Sequence, residues 1–154
     1  MNRSVILSLA LMAIFSACTT MPRGTPFEYE RVDTVNAAKD VIYQQSGLWI
    51  AETFRSASAV IDYRDEKEGV IIGNGIITTR GYDYRFKLKI EAKDNKFKMT
   101  FRNIETLSGG GPWTPVYDYG PQGGGLSEDL PVEFEALGSS LKDYITKAAS
   151  RRDW

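Results

Sequence analysis

From Tyr82 to Ala92 apolar and polar side chains alternate without a break. Tyr84, Phe86, Leu88, Ile90 and Ala92 fall on one face and Arg85, Lys87, Lys89 and Glu91 on the other. A period of two marks a strand with one face buried. After Asp94-Asn95 the pattern resumes, with Phe97, Met99 and Phe101 on one face and Lys96, Lys98, Thr100 and Arg102 on the other. Pairing Lys93 with Lys96 across that two-residue turn sets Leu88 opposite Phe101, Ile90 opposite Met99 and Glu91 opposite Lys98. Both apolar faces then land on the same side of the hairpin. Two further strands are expected before it, Ala59–Arg64 and Val70–Thr79, joined by the polar turn Asp65-Glu66-Lys67-Glu68-Gly69. Gly73 and Gly75 inside the second imply a bulge or a close approach of backbone to a neighbour.

Outside these strands the period lengthens to that of a helix. Asp33, Thr34 and Asn36 offer N-caps for a helix running to about Phe54, with Ala38, Val41, Ile42, Gln45, Leu48 and Trp49 on one face at spacings of three and four. Trp49 and Phe54 are assigned to the core. Gly47 inside this helix costs roughly 1 kcal/mol against alanine. A last helix is expected from about Leu130 to Arg151, with Leu130, Phe134, Leu137, Leu141, Ile145 and Ala148 as its stripe. Pro131 suits its first turn, Glu133 and Glu135 its positive end, and Lys147, Arg151 and Arg152 its negative end. Phe27–Val32 alternates and is expected to form a first strand.

The order is thus strand, helix, four antiparallel strands, helix. Its wording is familiar at Leu48-Trp49-Ile50-Ala51-Glu52-Thr53-Phe54, at Ala59-Val60-Ile61-Asp62-Tyr63-Arg64-Asp65 and at Glu68-Gly69-Val70-Ile71-Ile72-Gly73-Asn74-Gly75. With Lys89-Ile90-Glu91-Ala92-Lys93-Asp94-Asn95-Lys96-Phe97, these segments resemble the bacterial family called "domain of unknown function 4468 with TBP-like fold", over about residues 32–107. The resemblance implies an α+β, TBP-like fold: a curved antiparallel sheet of about four to five strands with two helices packed on one face. That face buries the stripes, and the other meets water. The family has no assigned activity, so the resemblance supplies no catalytic positions.

The first residues carry an address. Arg3 is the only charge before Cys18, and the apolar run Val5–Phe15 is too short to span a ~30 Å hydrocarbon core. Phe15-Ser16-Ala17-Cys18 resembles a bacterial lipobox, with Phe where Leu is usual. That implies removal of residues 1–17 as a signal peptide and a diacylglycerol thioether and an amide-linked acyl chain (palmitate is one) on Cys18. The competing reading is an ordinary secreted protein cut near Ala17. Thr19 stands where Asp is the usual inner-membrane retention residue, which directs the expectation to the cell envelope, at the outer membrane facing the periplasm. Residues 18–31 are expected to be a tether and 32–152 a single domain.

Composition narrows the chemistry. The chain has 154 residues, no histidine and a single cysteine. That removes His-based triads, His general bases, His metal ligands, disulfides and, with Cys18 acylated, thiolate catalysis. The part after Ala17 holds 18 basic and 20 acidic residues, too balanced to imply a nucleic-acid partner. No catalytic residue, cofactor or metal site is assigned.

Two surfaces remain as candidates. Arg85, Lys87, Lys89, Lys96, Lys98 and Arg102 share the polar sheet face and could meet an anionic partner such as a lipid headgroup, a glycan phosphate or an acidic protein. Lysines there could equally be a solvated face that discourages aggregation. The segment 108–131 holds seven glycines and four prolines, with Trp113, Tyr117 and Tyr119 as either a ligand clamp or a pin against the core. Asp62, Asp65, Glu66 and Glu68 cluster at a turn without a calcium-loop spacing. The expectation is a membrane-anchored, non-enzymatic binding or interaction module, with a small-ligand or glycan binder using the aromatic loop as the alternative.

Overall fold

The computed structural model describes residues 24–54, 61–107, 109–118 and 129–151. Residues 1–17, Cys18, Ala59, Val60, Tyr119 and Arg152, all assigned above, lie outside the described residues. The chain runs β1 (Thr25–Pro26), β2 (Tyr29–Thr34), α1 (Lys39–Thr53), β3 (Ile61–Asp65), β4 (Val70–Thr79), β5 (Tyr82–Lys93), β6 (Lys96–Leu107), β7 (Thr114–Pro115), β8 (Tyr117–Asp118) and α2 (Leu130–Ser150).

One antiparallel sheet has the order β2-β6-β5-β4-β3, with β7 adding to β6 as a sixth strand. It is wider than the four to five strands expected, and β1 with β8 makes a separate two-stranded sheet. The central hairpin keeps the register that alternation dictates: Leu88 pairs with Phe101, Ile90 with Met99, Glu91 with Lys98 and Lys93 with Lys96. Strand β6 continues five residues past Arg102, because a bulge between Arg85/Lys87 on one strand and Glu105/Arg102 on the other resets the alternation. Asn103 takes the left-handed conformation there, at φ 51°. Gly75 shows the close approach: a Cβ on it would stand 2.7 Å from the Phe86 ring.

Both helices lie on the apolar face of the sheet. Phe134 of α2 stacks on Phe101 at 4.1 Å between ring centroids and meets Phe86 edge-on at 5.3 Å. Phe54 joins the same group through Phe86 and Trp49, and Trp49 Nε1 donates to Ser140 Oγ at 3.1 Å, tying α1 to α2. Leu130, Leu141 and Ile145 of the α2 stripe are buried as expected, and Leu137 packs against the core from its margin.

Helix α1 departs from expectation at its start and in its facing. Asp33 and Thr34 belong to β2, and neither they nor Asn36 cap the helix. It begins after Ala38, and the Lys39 N–H is received by Asp94 Oδ1 of the β5–β6 turn at 2.8 Å. The cap is therefore tertiary, supplied by a residue 55 positions away. The buried side is Val41, Ile42, Tyr43, Ser46, Gly47, Trp49 and Ile50, while Leu48 is 52% exposed. Apolar residues are spread around this helix, so spacing alone leaves its rotation open, and Gly47 settles it. The Arg64 guanidinium crosses where a Gly47 side chain would be, 2.9 Å from a Cβ built there.

The first strand expected over Phe27–Val32 is β2, paired with the edge of β6, and Thr25–Pro26, within the segment expected to be a tether, pair with β8. The Gly/Pro segment is likewise tied down over 109–118. Val116 is buried, its N–H donates to the Ile104 carbonyl at 2.9 Å, and its carbonyl accepts from the Phe27 N–H at 2.9 Å. Among the described residues of this loop the buried side chain is the aliphatic Val116.

Candidate functional site

Two helices cover one sheet face, and the other is open to contact. Its outward residues include Glu30 and Val32 of β2, Lys98, Thr100 and Arg102 of β6, Arg85, Lys87, Lys89 and Glu91 of β5, and Asn74 and Ile76 of β4. The sheet topology that brings the six expected cations together also brings carboxylates from distant strands. Lys87 pairs with Asp62 at 2.9 Å, Lys89 with Glu91 at 3.0 Å, and Arg102 with Glu28 at 3.2 Å. Lys98 reaches Glu91 at 3.1 Å and Glu30 at 3.5 Å, and Arg85 pairs with Glu105. Lys96 alone of the six has no carboxylate partner among the described residues; it borders a shallow recess with Val32 and Phe97.

This face is a mosaic of paired charges. Exposed pairs of this kind stabilise a fold little, so their effect is on surface character more than stability. The hydrogen bond from Lys87, then that from Asn74, holds the Asp62 carboxyl below its ordinary range. At Glu91 partial burial opposes ionisation, and hydrogen bonds from Lys89 and Lys98 outweigh it, lowering that carboxyl as well. Hydrogen bonding to Glu91 in turn raises the Lys98 ammonium.

At one end the face opens into a groove of about 470 Å³, within the range of small-ligand pockets. Its floor is the backbone of β4 and β5 at Gly75 and Phe86, and its walls include Asn74, Arg85, Lys87, Asn103, Glu105 and Trp113. Strand β7 pairs with Glu105 and Thr106, which carries Trp113 to this rim. The Arg85 guanidinium then sits over the indole, 4.6 Å from its centroid. Arg85 and Lys87 of the cationic face and Trp113 of the Gly/Pro segment thus meet in a single site.

Tyr117 does not join them. It lies on β8 opposite Pro26, so a clamp of Trp113 with Tyr117 is not what the described residues form. Asn74, Asn103 and Glu105 were missed. The lapse of alternation at Arg102-Asn103-Ile104 is the sequence signal for the bulge that exposes Asn103. The acidic turn is occupied with local work: Asp65 Oδ1 accepts the Glu68 N–H at 2.9 Å and Asp62 is held by Lys87 and Asn74. Among the described residues no group of three or more His, Cys, Asp or Glu could hold a metal ion, and no helix is long and apolar enough to cross a membrane.

The model of a family described as a domain of unknown function (DUF4468) with TBP-like fold matches residues 29–106, from β2 through all but the last residue of β6. The chain belongs to the DUF4468 family. Its fold is similar to that of a TBP-like protein from Parabacteroides distasonis ATCC 8503, with TM-score 0.59, 13% identity, and 78% of this chain and 92% of that one covered. A DUF4468 family protein from Bacteroides ovatus ATCC 8483 is similar with TM-score 0.54 and 12% identity, over 77% and 80% of the two chains. At such identities the likeness carries the TBP-like fold and no activity. No curated protein matches the chain. The groove's Trp113 falls beyond the residues that the DUF4468 model covers.

Proposed function

We propose that this DUF4468 chain is a cell-envelope lipoprotein held by acylated Cys18, and that its domain is a non-enzymatic module binding another envelope component. The observation that carries the binding half is the asymmetry of the sheet. One face is filled by α1 and α2, while the other is uncovered and indented beside Trp113. A fold that leaves a grooved face open presents a surface for contact, with paired charges keeping it soluble.

The anchor and the groove are consistent with each other. Five residues separate Cys18 from Gly24, and the six steps reach at most about 22 Å even if fully extended. Next, β1 is fastened to β8, which adjoins Val116 and the Ile104 carbonyl of β6. In this reading the acyl chains hold the end of the domain bearing β7, β8 and Trp113 close to the bilayer. Each buried CH₂ contributes ~0.8 kcal/mol, so several chains make the attachment effectively permanent.

The Cys18→Ser variant tests the address. Membrane fractionation is expected to show the parent chain in the membrane pellet and the variant either soluble or as an unprocessed precursor. Unchanged fractionation and gel mobility would refute lipidation at Cys18.

A further inference from the structure

We propose that the groove beside Trp113 is a saccharide subsite that takes a neutral oligosaccharide. This deepens the reading of the domain as a binding module and does not depend on acylation of Cys18.

Charge decides against an anion. The two cations in the groove are already matched, Arg85 by Glu105 and Lys87 by Asp62 at 2.9 Å. A phosphate or carboxylate would have to displace or oppose one of those carboxylates. A hydroxyl need not, because it both donates and accepts. The walls offer it both roles. Asn74 gives its Nδ2 protons to Asp62 at 2.9 Å and keeps its carbonyl oxygen. Lys87 uses one of its three protons on Asp62, and Glu105 has lone pairs beyond the one that Arg85 takes. The Asn103 carboxamide has no hydrogen-bond partner among the described residues. Beside these stands one half-buried indole; the Arg85 guanidinium covers one of its faces, and the apolar surface left at the groove rim is what meets the C–H face of a pyranose ring.

The site is also pre-shaped. The guanidinium over the indole restrains Trp113, and that guanidinium is itself held by Glu105. Asn103 occupies a left-handed backbone position at a bulge, the kind of local strain that re-aims a side chain at a site. Rigid groups around a groove of about 470 Å³ reduce what a ligand loses on binding.

The test is calorimetric titration of the full chain, in a sugar-free detergent, with maltotriose, mannotriose and triacetylchitotriose. At least one is expected to bind, and Trp113→Ala and Asn103→Gly are each expected to weaken it by about tenfold or more. Glycine accepts the φ of 51° without strain, so Asn103→Gly deletes the carboxamide and leaves the bulge intact. Unchanged melting temperatures of both variants would locate the loss in binding. Absence of heat with all three sugars, or equal affinity in the variants, would overturn the subsite. Binding of inorganic phosphate or phosphatidylglycerol vesicles, lost in the same variants and with no sugar response, would also overturn the saccharide assignment; the domain would then remain a binding module of different specificity.

Discussion

Truncating Phe134 to alanine is expected to destabilise the domain by about 3–5 kcal/mol, as for other buried phenylalanines. Phe134 is fully buried, and its ring contacts converge: Phe101 stacked at 4.1 Å, Phe86 edge-on at 5.3 Å, and Tyr29 tilted at 5.7 Å. Those rings come from β6, β5 and β2, so one side chain fastens α2 across three strands. A small domain holds about 5–15 kcal/mol in total, so the loss is a large share of it. Thermal unfolding followed by circular dichroism should drop by about 12–20 °C. Phe134→Leu, which keeps most of the volume, should cost less than about 1.5 kcal/mol. Equal effects of the two variants would mean that α2 does not pack through this ring.

A second large effect is expected at Arg31, where polar groups replace rings as the fastening of α2. Asp33 is 8% exposed, on the sheet face that the helices cover. Arg31 grips it with Nε and with Nη2, the latter at 3.0 Å, and donates from Nη1 to the Glu135 carbonyl and, at 3.2 Å, to Ser139 Oγ. The guanidinium can enter only because α2 has Gly138 there; a Cβ on that residue would stand 2.6 Å from Arg31 Cδ. Arg31→Ala leaves the Asp33 carboxylate with Lys142 at 3.8 Å as its remaining cation. Removing one member of a buried pair costs about 3–5 kcal/mol, and with Lys142 still present about 2–4 is expected. The double variant Arg31→Met/Asp33→Leu removes both charges and should be more stable than Arg31→Ala alone. Urea unfolding of the three chains checks the order. A double variant no better than the single one would show that Asp33 is not the group left stranded.

How much of this was legible in the sequence depends on the range of the forces involved. The β5–β6 hairpin was readable to the residue pair, because alternation and a two-residue turn leave one register that buries Leu88, Ile90, Met99 and Phe101 together. Helix α2 was readable through its 3–4 spacing. Helix α1 was placed and Val41, Ile42 and Trp49 were rightly turned inward, but Leu48 was not and the cap was misplaced, since the cap comes from Asp94 and the facing from Arg64 over Gly47, both distant in sequence. The loop at 109–118 could not be read at all: two-residue bridges to β6 and β1 depend on backbone hydrogen bonds that no side-chain pattern announces. The candidate site fared similarly. Its cations and Trp113 stood out by type, whereas Asp62, Glu28, Glu30 and Glu105 become their neutralising partners only when the strands assemble.

That assembly changes the character of the open face. Read along β5 and β6 alone it is a basic strip. Across β2, β3 and β6 it is a paired surface whose distinctive feature is the aromatic, amide-lined groove.

The claim that this face is the contact surface is tested most directly in intact cells, by a photocross-linking residue placed at one position at a time. At Ile76 or Lys89, on the open face but given no ligand hydrogen bond, irradiation is predicted to give a discrete adduct with an envelope component. At Asp143 or Lys147, on the outer side of α2, none is predicted. Adducts of the same pattern from both sides, or none from Ile76 and Lys89, would contradict the account.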